Sequence, residues 1–387
     1  MAPDRPFRHQ VYETEPPVGS FEFLAGALPE LDEAVWQHRV AQFGEVLRAA
    51  NVAAIYLIHG TFAGNDPLGV LTGIGRLVPR WSDAVRGRYK MAVDVLAGQR
   101  GNYSPQFAQK IEAALNPDGQ VIVPVRRFGW SSENHHIGRA DAAIRLLDRL
   151  AEDDLPSGGR ILCWAHSHGG NALALLSSLV SGHRDAVDEF FAHAEIYFRW
   201  PMSGRVDLPV WERVRRRLAE NPTPLANNPL DIVTFGTPVR YGWHAASIAK
   251  LLHVVNHRPA GGVEPHRAAF PPDWGEVLDG AAGDFVQQFG IAGTNTPPGL
   301  LAWRARRANR QMAQLLQPGM PRRELLGRLK LGTRVADTGK TLLVDYGPQE
   351  GSVRRQLLGH AVYTKAPWLP LHAEQIAAQF YSDSLPK

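Results

Sequence analysis

The sequence predicts an α/β protein with a mostly parallel central sheet and helices on both of its faces. Largely apolar runs of strand length recur at 52–58, where the run is partly β-branched, and at 161–164 and 251–257. Segments with helical spacing of apolar residues lie between them, for example at 107–115 and 139–150. The chain has 387 residues, of which 44% are hydrophobic, enough for one large domain with insertions or two modest domains. Strands that alternate with helices favour a parallel sheet, because each crossover helix covers one face.

The first 50 residues begin with a proline-rich segment and continue with a helical pattern. Apolar residues recur at helical spacing from Leu31 to Phe43. We therefore predict a helical extension over 1–50 and a main domain over 51–387. Two stretches of the main domain, at about 182–229 and 259–335, are helical or loop-rich and are candidates for a cap or lid.

The remaining strands are predicted from shorter apolar runs. Residues 121–125 predict a strand whose ladder ends at Pro124, because proline cannot donate a ladder hydrogen bond. Residues 231–238 predict a strand that ends at a turn, and residues 341–347 predict the last strand. A closing helix is expected over 372–381.

The charge distribution argues against nucleic acid as a partner. The formal net charge is +4, but residues 300–335 hold nine Lys/Arg and one acid, so this stretch carries +8 and the rest −4. The only cysteine is Cys163, which rules out an internal disulfide. The N-terminus shows no apolar signal-peptide region, and no apolar run approaches the ~20 residues of a membrane span. A cytoplasmic location is therefore expected.

Residues 300–316 predict an amphipathic helix within the basic stretch. Its apolar side is formed by Leu301, Ala305, Ala308, Met312 and Leu315. Four arginines lie mostly on the other side, at positions 304, 306, 307 and 310. Such a helix can be a structural cover, a lid, or an element that makes transient contact with a lipid surface.

The most informative stretch is a strand, a tight turn and a helix around Ser167. Residues 161–164 supply the strand, and an apolar helix begins near Asn171. The turn between them reads Ala165-His166-Ser167-His168-Gly169, with small residues at both of its ends. This pattern matches the nucleophile elbow G-x-S-x-G, with alanine in place of the first glycine. A serine at such a turn is held above the sheet as a candidate nucleophile.

Two loops at the carboxyl ends of strands are expected to border the same site, because ligands bind at that edge of open α/β sheets. The first follows residues 52–58 and reads His59-Gly60-Thr61-Phe62. The second, over 126–139, contains Trp130 as an apolar wall and Asn134 as a polar anchor for substrate. It also contains His135-His136, but no metal-ligand motif accompanies the pair, so we predict neither a metal nor a cofactor.

Three of these stretches together resemble the lipase/esterase-like branch of the α/β-hydrolase superfamily. They are His59-Gly60, the Ala165–Gly169 turn, and Asp231-Ile-Val-Thr-Phe-Gly-Thr-Pro. The resemblance spans roughly residues 50–382 and implies an α/β-hydrolase fold. It also implies the order nucleophile, acid, base along the chain.

The resemblance implies a role for each candidate site residue. Ser167 is the nucleophile, and His360 is the base because it lies between the last predicted strand and the last helix. The backbone N–H of His168 forms one half of the oxyanion hole. An N–H from the Thr61-Phe62 part of the first loop forms the other half, and Gly60 lies at the substrate.

Three residues are candidates for the acid that the resemblance implies. Asp284 is favoured, because it follows the penultimate strand and lies in a Gly-Asp-Phe-Val turn similar to the acid turn of lipases. Asp345 ends the last predicted strand, and Glu264 is a third candidate.

The expected function is that of a serine hydrolase that cleaves carboxylic esters through an acyl-serine, with a small-molecule or lipid ester as substrate. The same residues suit a thioesterase or acyltransferase, since the acyl-serine chemistry is shared. An α/β-hydrolase scaffold that only binds a ligand is the alternative from another class. The oligomeric state, the acyl chain length and the leaving group stay open.

Overall fold

A computed structural model describes most of the chain. The described residues are 6–7, 15–25, 29–61, 103–117, 119, 121–238, 240–272, 283–292, 295, 297–299, 302–317, 325–348 and 358–384. Within them, no helix is both long and apolar enough to cross a membrane.

A seven-stranded sheet forms the centre of the described structure. Its strands are β1 (Phe21–Leu24), β2 (Val52–Ile58), β3 (Val125–Phe128), β4 (Arg160–His166), β5 (Leu230–Phe235), β6 (Lys250–Asn256) and β7 (Lys340–Val344). The order across the sheet is β1-β7-β6-β5-β4-β2-β3, and every neighbouring pair is parallel. The predicted α/β class with a parallel sheet is therefore confirmed.

Helices cover both faces of this sheet. They are α1 (Glu33–Ala49), α2 (Pro105–Leu115), α3 (His136–Glu152), α4 (His168–Leu179), α5 (Arg184–Phe198), α6 (Pro209–Glu220), α7 (Phe285–Ala292), α8 (Trp303–Leu316), α9 (Leu325–Leu331) and α10 (Leu369–Phe380). One core joins one face to α1, α2 and α10, and the other core joins the opposite face to α3–α6 and α8. Alternate residues of β4 serve the two cores, as a pleated strand requires: Cys163 faces α3–α6, and Trp164 faces α1 and α10.

The edge strand β1 comes from the segment that was predicted as a helical extension. Helix α1 is present as expected, but residues 21–24 add a strand that pairs with β7 from Phe21–Thr341 to Leu24–Val344. Only four residues long and partly exposed, β1 has too short an apolar pattern to predict a strand.

The prediction for residues 121–125 was wrong about where the strand lies. The strand begins at Val125, and both Val121 and Ile122 are more than half exposed. Pro124 precedes the strand, and its carbonyl oxygen accepts a hydrogen bond from the N–H of Ile55, 2.9 Å away. Proline lacks a donor but keeps its acceptor, so it can open a ladder as well as end one.

The two candidate cap segments contribute to the packed helical layer. Helices α5 and α6 lie within 182–229, and their aromatic residues Phe190, Phe198 and Trp211 are fully buried in the core of that face. Helix α8 packs against α5 and buries Ala305, Ala308, Met312 and Leu315 of the predicted apolar side, whereas Leu301 lies outside the described residues. A lid movement or a lipid contact of α8 stays a prediction.

Arg304 departs from its predicted place on the solvated side of α8. Its side chain is only 6% exposed and forms a two-point ion pair with Asp207, with Nη1–Oδ2 at 2.6 Å. The guanidinium also donates to backbone carbonyls of Ile196, Tyr197 and Arg199. Arg304 therefore ties α8 to the end of α5, whereas Arg307 and Arg310 are exposed as predicted.

We expect Arg304→Ala to lower the free energy of unfolding by about 3–5 kcal/mol, because it leaves the carboxylate of Asp207 and three carbonyls without their donor. The measurement is equilibrium denaturation in urea. Arg307→Ala, on the exposed side of the same helix, is the matched control and should change stability by no more than about 0.5 kcal/mol. Equal effects of the two changes would show that the ion pair does not hold α8 in place.

Candidate active site

The loops that follow β2, β4, β6 and β7 leave the same edge of the sheet, because all strands are parallel. This edge therefore collects the candidate residues that the sequence separates by up to 300 positions, from Gly60 to His360. Ser167 follows β4, Asp284 follows β6, and His360 follows β7.

Ser167 lies in a strained turn between β4 and α4. Its backbone angles are φ 54° and ψ −133°, in a region that residues with a Cβ rarely adopt. Two hydrogen bonds hold the turn: the Ser167 N–H donates to the carbonyl of Phe235 (2.8 Å), and the Thr237 hydroxyl donates to the carbonyl of Ser167 (2.7 Å). Strain of this kind costs of order 1–3 kcal/mol and persists only where surrounding contacts such as these maintain it.

Small residues let the chain approach Ser167 closely. A Cβ on Gly60 would lie 2.6 Å from the Cβ of Ser167, nearer than real Cβ atoms come. A Cβ on Gly169 would lie 2.7 Å from the carbonyl oxygen of His59. Both glycines are therefore required for the contact between the elbow and the loop after β2, which places that loop directly beside the serine.

His360 and Asp284 form a buried hydrogen-bonded pair. His360 Nδ1 lies 2.7 Å from Asp284 Oδ2, and the two side chains are 6% and 0% exposed. Because a carboxylate can only accept, this contact assigns a proton to Nδ1, and in the neutral ring Nε2 is then the acceptor. Nε2 is buried and has no hydrogen-bond partner among the described residues, Ser167 included.

His360 is also fixed beside the end of β4. The ring of His166, the residue before the serine, lies 4.5 Å from the ring of His360, centroid to centroid. His166 Nε2 is 3.2 Å from the carbonyl oxygen of His360. These contacts place the histidine next to the elbow.

Asp284 is held as a carboxylate by the groups around it. Its Oδ1 accepts the Gln287 N–H at 2.8 Å, and its Oδ2 accepts the Tyr363 hydroxyl at 3.0 Å as well as His360. Burial raises the pKa of Asp284, but the charge that His360 carries when protonated, the His360 hydrogen bond, the charge of Arg334 and the Gln287 N–H outweigh it. The pKa is therefore lowered below its ordinary value.

The other two candidate acids lie elsewhere. Asp345 forms an ion pair with Arg258, at 2.9 and 3.1 Å, and accepts the N–H of Gly347. Glu264 is exposed. Of the three, only Asp284 contacts a ring nitrogen of His360.

The candidate oxyanion residues are only partly described. His168 is the first residue of α4, where backbone N–H groups have no partner within the helix. Thr61 follows the loop glycine and is half-buried, whereas Phe62 lies outside the described residues.

The loop after β3 supports the loop after β2. The indole of Trp130 stacks on His59, and its Nε1 donates to the His59 carbonyl at 2.9 Å. The Ser132 hydroxyl donates to the carbonyl of Gly60 at 2.8 Å. Burial, together with the charge of Arg127, lowers the pKa of His59 to about 4, so His59 is neutral here.

Trp130 and Asn134 were predicted as substrate contacts. Trp130 is buried against His59, and the side-chain oxygen of Asn134 accepts a hydrogen bond from Arg139 at 2.9 Å. The structure thus gives both residues partners within the protein, and a direct substrate contact stays a prediction.

Tyr363 and Arg334 contact Asp284 and were not among the predicted site residues. The hydroxyl of Tyr363 accepts the Asn256 N–H at 2.6 Å and donates to Asp284. Arg334 is buried and donates to the carbonyl of Asp284 and to Gln287 Oε1. The one feature of the sequence that could have indicated Tyr363 is its position three residues after His360.

Comparison with protein-family models, with curated proteins and with solved structures returned no match to this chain. Within the described residues, no group of three or more His, Cys, Asp or Glu side chains is arranged to hold a metal ion.

Proposed function

We propose that this protein is a serine hydrolase of the α/β-hydrolase type, lipase/esterase-like, which cleaves carboxylic esters through an acyl-serine. The observation that carries the proposal is the buried contact of His360 Nδ1 with Asp284 Oδ2, at the same sheet edge as Ser167. The left-handed backbone of Ser167 at a strand-to-helix turn supports it, because that conformation exposes a nucleophile above a sheet.

In the proposed reaction, the Ser167 hydroxyl attacks the ester carbonyl while His360 Nε2 accepts its proton. Asp284 holds the Nδ1–H tautomer and stabilises the imidazolium that forms. The hydrogen bond between serine and histidine forms in the substrate complex, since such contacts tighten on binding. His360 then protonates the leaving alkoxide, and it activates the water that releases the acid from the serine.

The negative charge of the tetrahedral intermediate requires donors at the elbow. The N–H of His168 and an N–H at Thr61 are proposed for this role, and the close approach of Gly60 to Ser167 brings the two loops together. Each such donor contributes about a hundredfold or more in rate.

Labelling with a fluorophosphonate probe tests the proposal, because the probe reacts only with an activated serine. We expect covalent labelling of the folded protein at Ser167, located by peptide mass spectrometry. Hydrolysis of p-nitrophenyl esters from acetate to palmitate then measures turnover and acyl preference. Absence of labelling in folded protein would leave a binding scaffold as the function.

Tyr363→Phe is expected to reduce kcat by about tenfold or less, because it removes one of three hydrogen bonds to the carboxylate of Asp284 and leaves His360 in place. The lower limb of the pH–rate profile should shift upward, since a less stabilised carboxylate is more easily protonated. Tyr346→Phe is the control: its hydroxyl contacts His372, 2.7 Å away. An unchanged pH profile in Tyr363→Phe would make this tyrosine structural only.

A further inference from the structure

Arg139, on α3, is a buried cation whose partners are all neutral. The residue is 0% exposed. Its Nε donates to the Tyr241 hydroxyl (2.7 Å), its Nη1 to Asn134 Oδ1 (2.9 Å) and its Nη2 to Asn295 Oδ1 (2.7 Å). Among the described residues, these hydrogen-bond partners of Arg139 include no carboxylate. A buried charge without a counter-charge is costly, and Arg304, another buried arginine that contacts this helical layer, is paired with Asp207.

A second buried cation meets the same amide. Arg240 is also 0% exposed, and its Nη1 lies 3.3 Å from Asn295 Oδ1 while its Nη2 donates to Gln317 Oε1 at 2.8 Å. His136 contacts the Tyr241 hydroxyl at 2.8 Å and the Asn295 amide nitrogen at 3.2 Å. We call Arg139, Arg240, His136, Tyr241 and Asn295 the arginine cluster.

The arginine cluster adjoins the elbow. The loop after β5 contacts the carbonyl of Ser167 through Thr237 and carries Arg240 and Tyr241 three and four residues later. The positive charges of both guanidinium groups act on the side chain of His168, which is next to Ser167. Burial first, and then the charges of Arg139 and Arg240, lower its pKa well below the ordinary value.

The amide oxygens that hold Arg139 sit where an anionic ligand would bind. Asn134 and Asn295 are half-buried, whereas Arg139 is fully buried, so an anion can contact the guanidinium only by displacing one or both of these amides. The two Nη groups of an arginine form a planar fork that suits two oxygens of one carboxylate or phosphate. The two neutral amide oxygens accept hydrogen bonds from this fork but do not neutralise its charge.

We propose that the substrate carries a carboxylate or phosphate group, which binds the arginine cluster in place of the amide oxygens of Asn134 and Asn295. This places an anionic group beside the ester that Ser167 attacks, and in that respect the inference rests on the proposed function. Binding of the anion itself does not depend on catalysis.

Thermal unfolding of the whole protein in sodium phosphate or glutarate, matched in ionic strength with sodium chloride, tests the site. We expect either anion to raise the melting temperature by about 2 °C or more, and the effective one identifies the oxyanion. The rise should vanish in Arg139→Gln and persist in Arg149→Gln, which removes an exposed charge from the same helix. No rise in the wild type, or an equal rise in Arg139→Gln, would overturn the site.

Asn295→Asp provides a second test of the site if Arg139→Gln does not fold. A carboxylate at this position supplies the missing counter-charge, so we expect a higher melting temperature and loss of the response to added anion. A variant that is less stable, or that still responds in full, contradicts the proposal.

Turnover of a neutral p-nitrophenyl butyrate separates this inference from the proposed function. The anion that raises the melting temperature should raise KM at least about threefold without changing kcat, and Arg139→Gln should lose this competition. Anion binding that leaves KM unchanged would overturn the placement of the anionic group on the substrate. Absence of any turnover together with intact anion binding would reject the hydrolase and keep the anion site.

Discussion

Ser167→Ala is expected to reduce ester turnover by about 10⁴-fold or more and to abolish fluorophosphonate labelling, because the acyl group then has no nucleophile to accept it. The fold should be preserved, since both hydrogen bonds of the elbow are made by the backbone of residue 167 and survive the change. The measurement is kcat/KM on a soluble short-chain ester, with circular dichroism to verify folding.

Ester turnover by His360→Ala should be reduced by a comparable factor. The double variant Ser167→Ala/His360→Ala should lose little more, because the effects of substituting residues that act as a unit are not additive. Ser181→Ala, just beyond the end of α4, is the control and should retain normal turnover. If Ser167→Ala keeps substantial activity while folded, the nucleophile is another residue and the proposed function fails at its first step.

Asp284→Asn is expected to reduce kcat by about 10⁴-fold, as loss of the equivalent carboxylate does in a serine protease. The asparagine retains the size of the side chain but can hold His360 in the other tautomer, with the proton on Nε2, where it cannot accept the proton of Ser167. Single-turnover kinetics with a p-nitrophenyl ester measure the acylation step directly.

Asp345→Asn is the matched control for the acid. It breaks an ion pair with Arg258 in which both side chains are about 30% exposed, so we expect a loss of about 1 kcal/mol or less in stability and little change in kcat. A large fall in kcat for Asp345→Asn with a normal rate for Asp284→Asn would reverse the assignment of the acid.

Much of the sheet could be predicted because the buried strands carry their own signal. The runs that became β2 and β4 are apolar on both faces, and the elbow needs small residues at fixed spacing around Ser167. The order of the candidate residues along the chain also led to Asp284, which the structure places against His360. Local sequence was sufficient for features that depend on residues close together in the chain, such as a buried strand or a tight turn.

Other features depend on partners that are distant in sequence. Arg304 was predicted as solvated because helical spacing alone places it opposite the apolar side, and its partner Asp207 lies 97 residues away. Tyr363 lies 79 residues from Asp284, and no short motif links them. Strand β1 is stabilised by its pairing with β7. The residues of β7 are too distant in sequence to fall within any short window around residue 21.

That pairing has a consequence for how the protein forms during synthesis. Thr341, the partner of Phe21, leaves the ribosome 320 residues later (341 − 21), which is about 16–64 s at 5–20 residues per second. Until then β1 has no neighbour in the sheet, and His360 has not been made. Closure of this edge is therefore a non-local event, which cannot occur before residue 341 has been made. In the proposed mechanism, a nascent chain that already contains Ser167 therefore lacks its base until residue 360 has been translated.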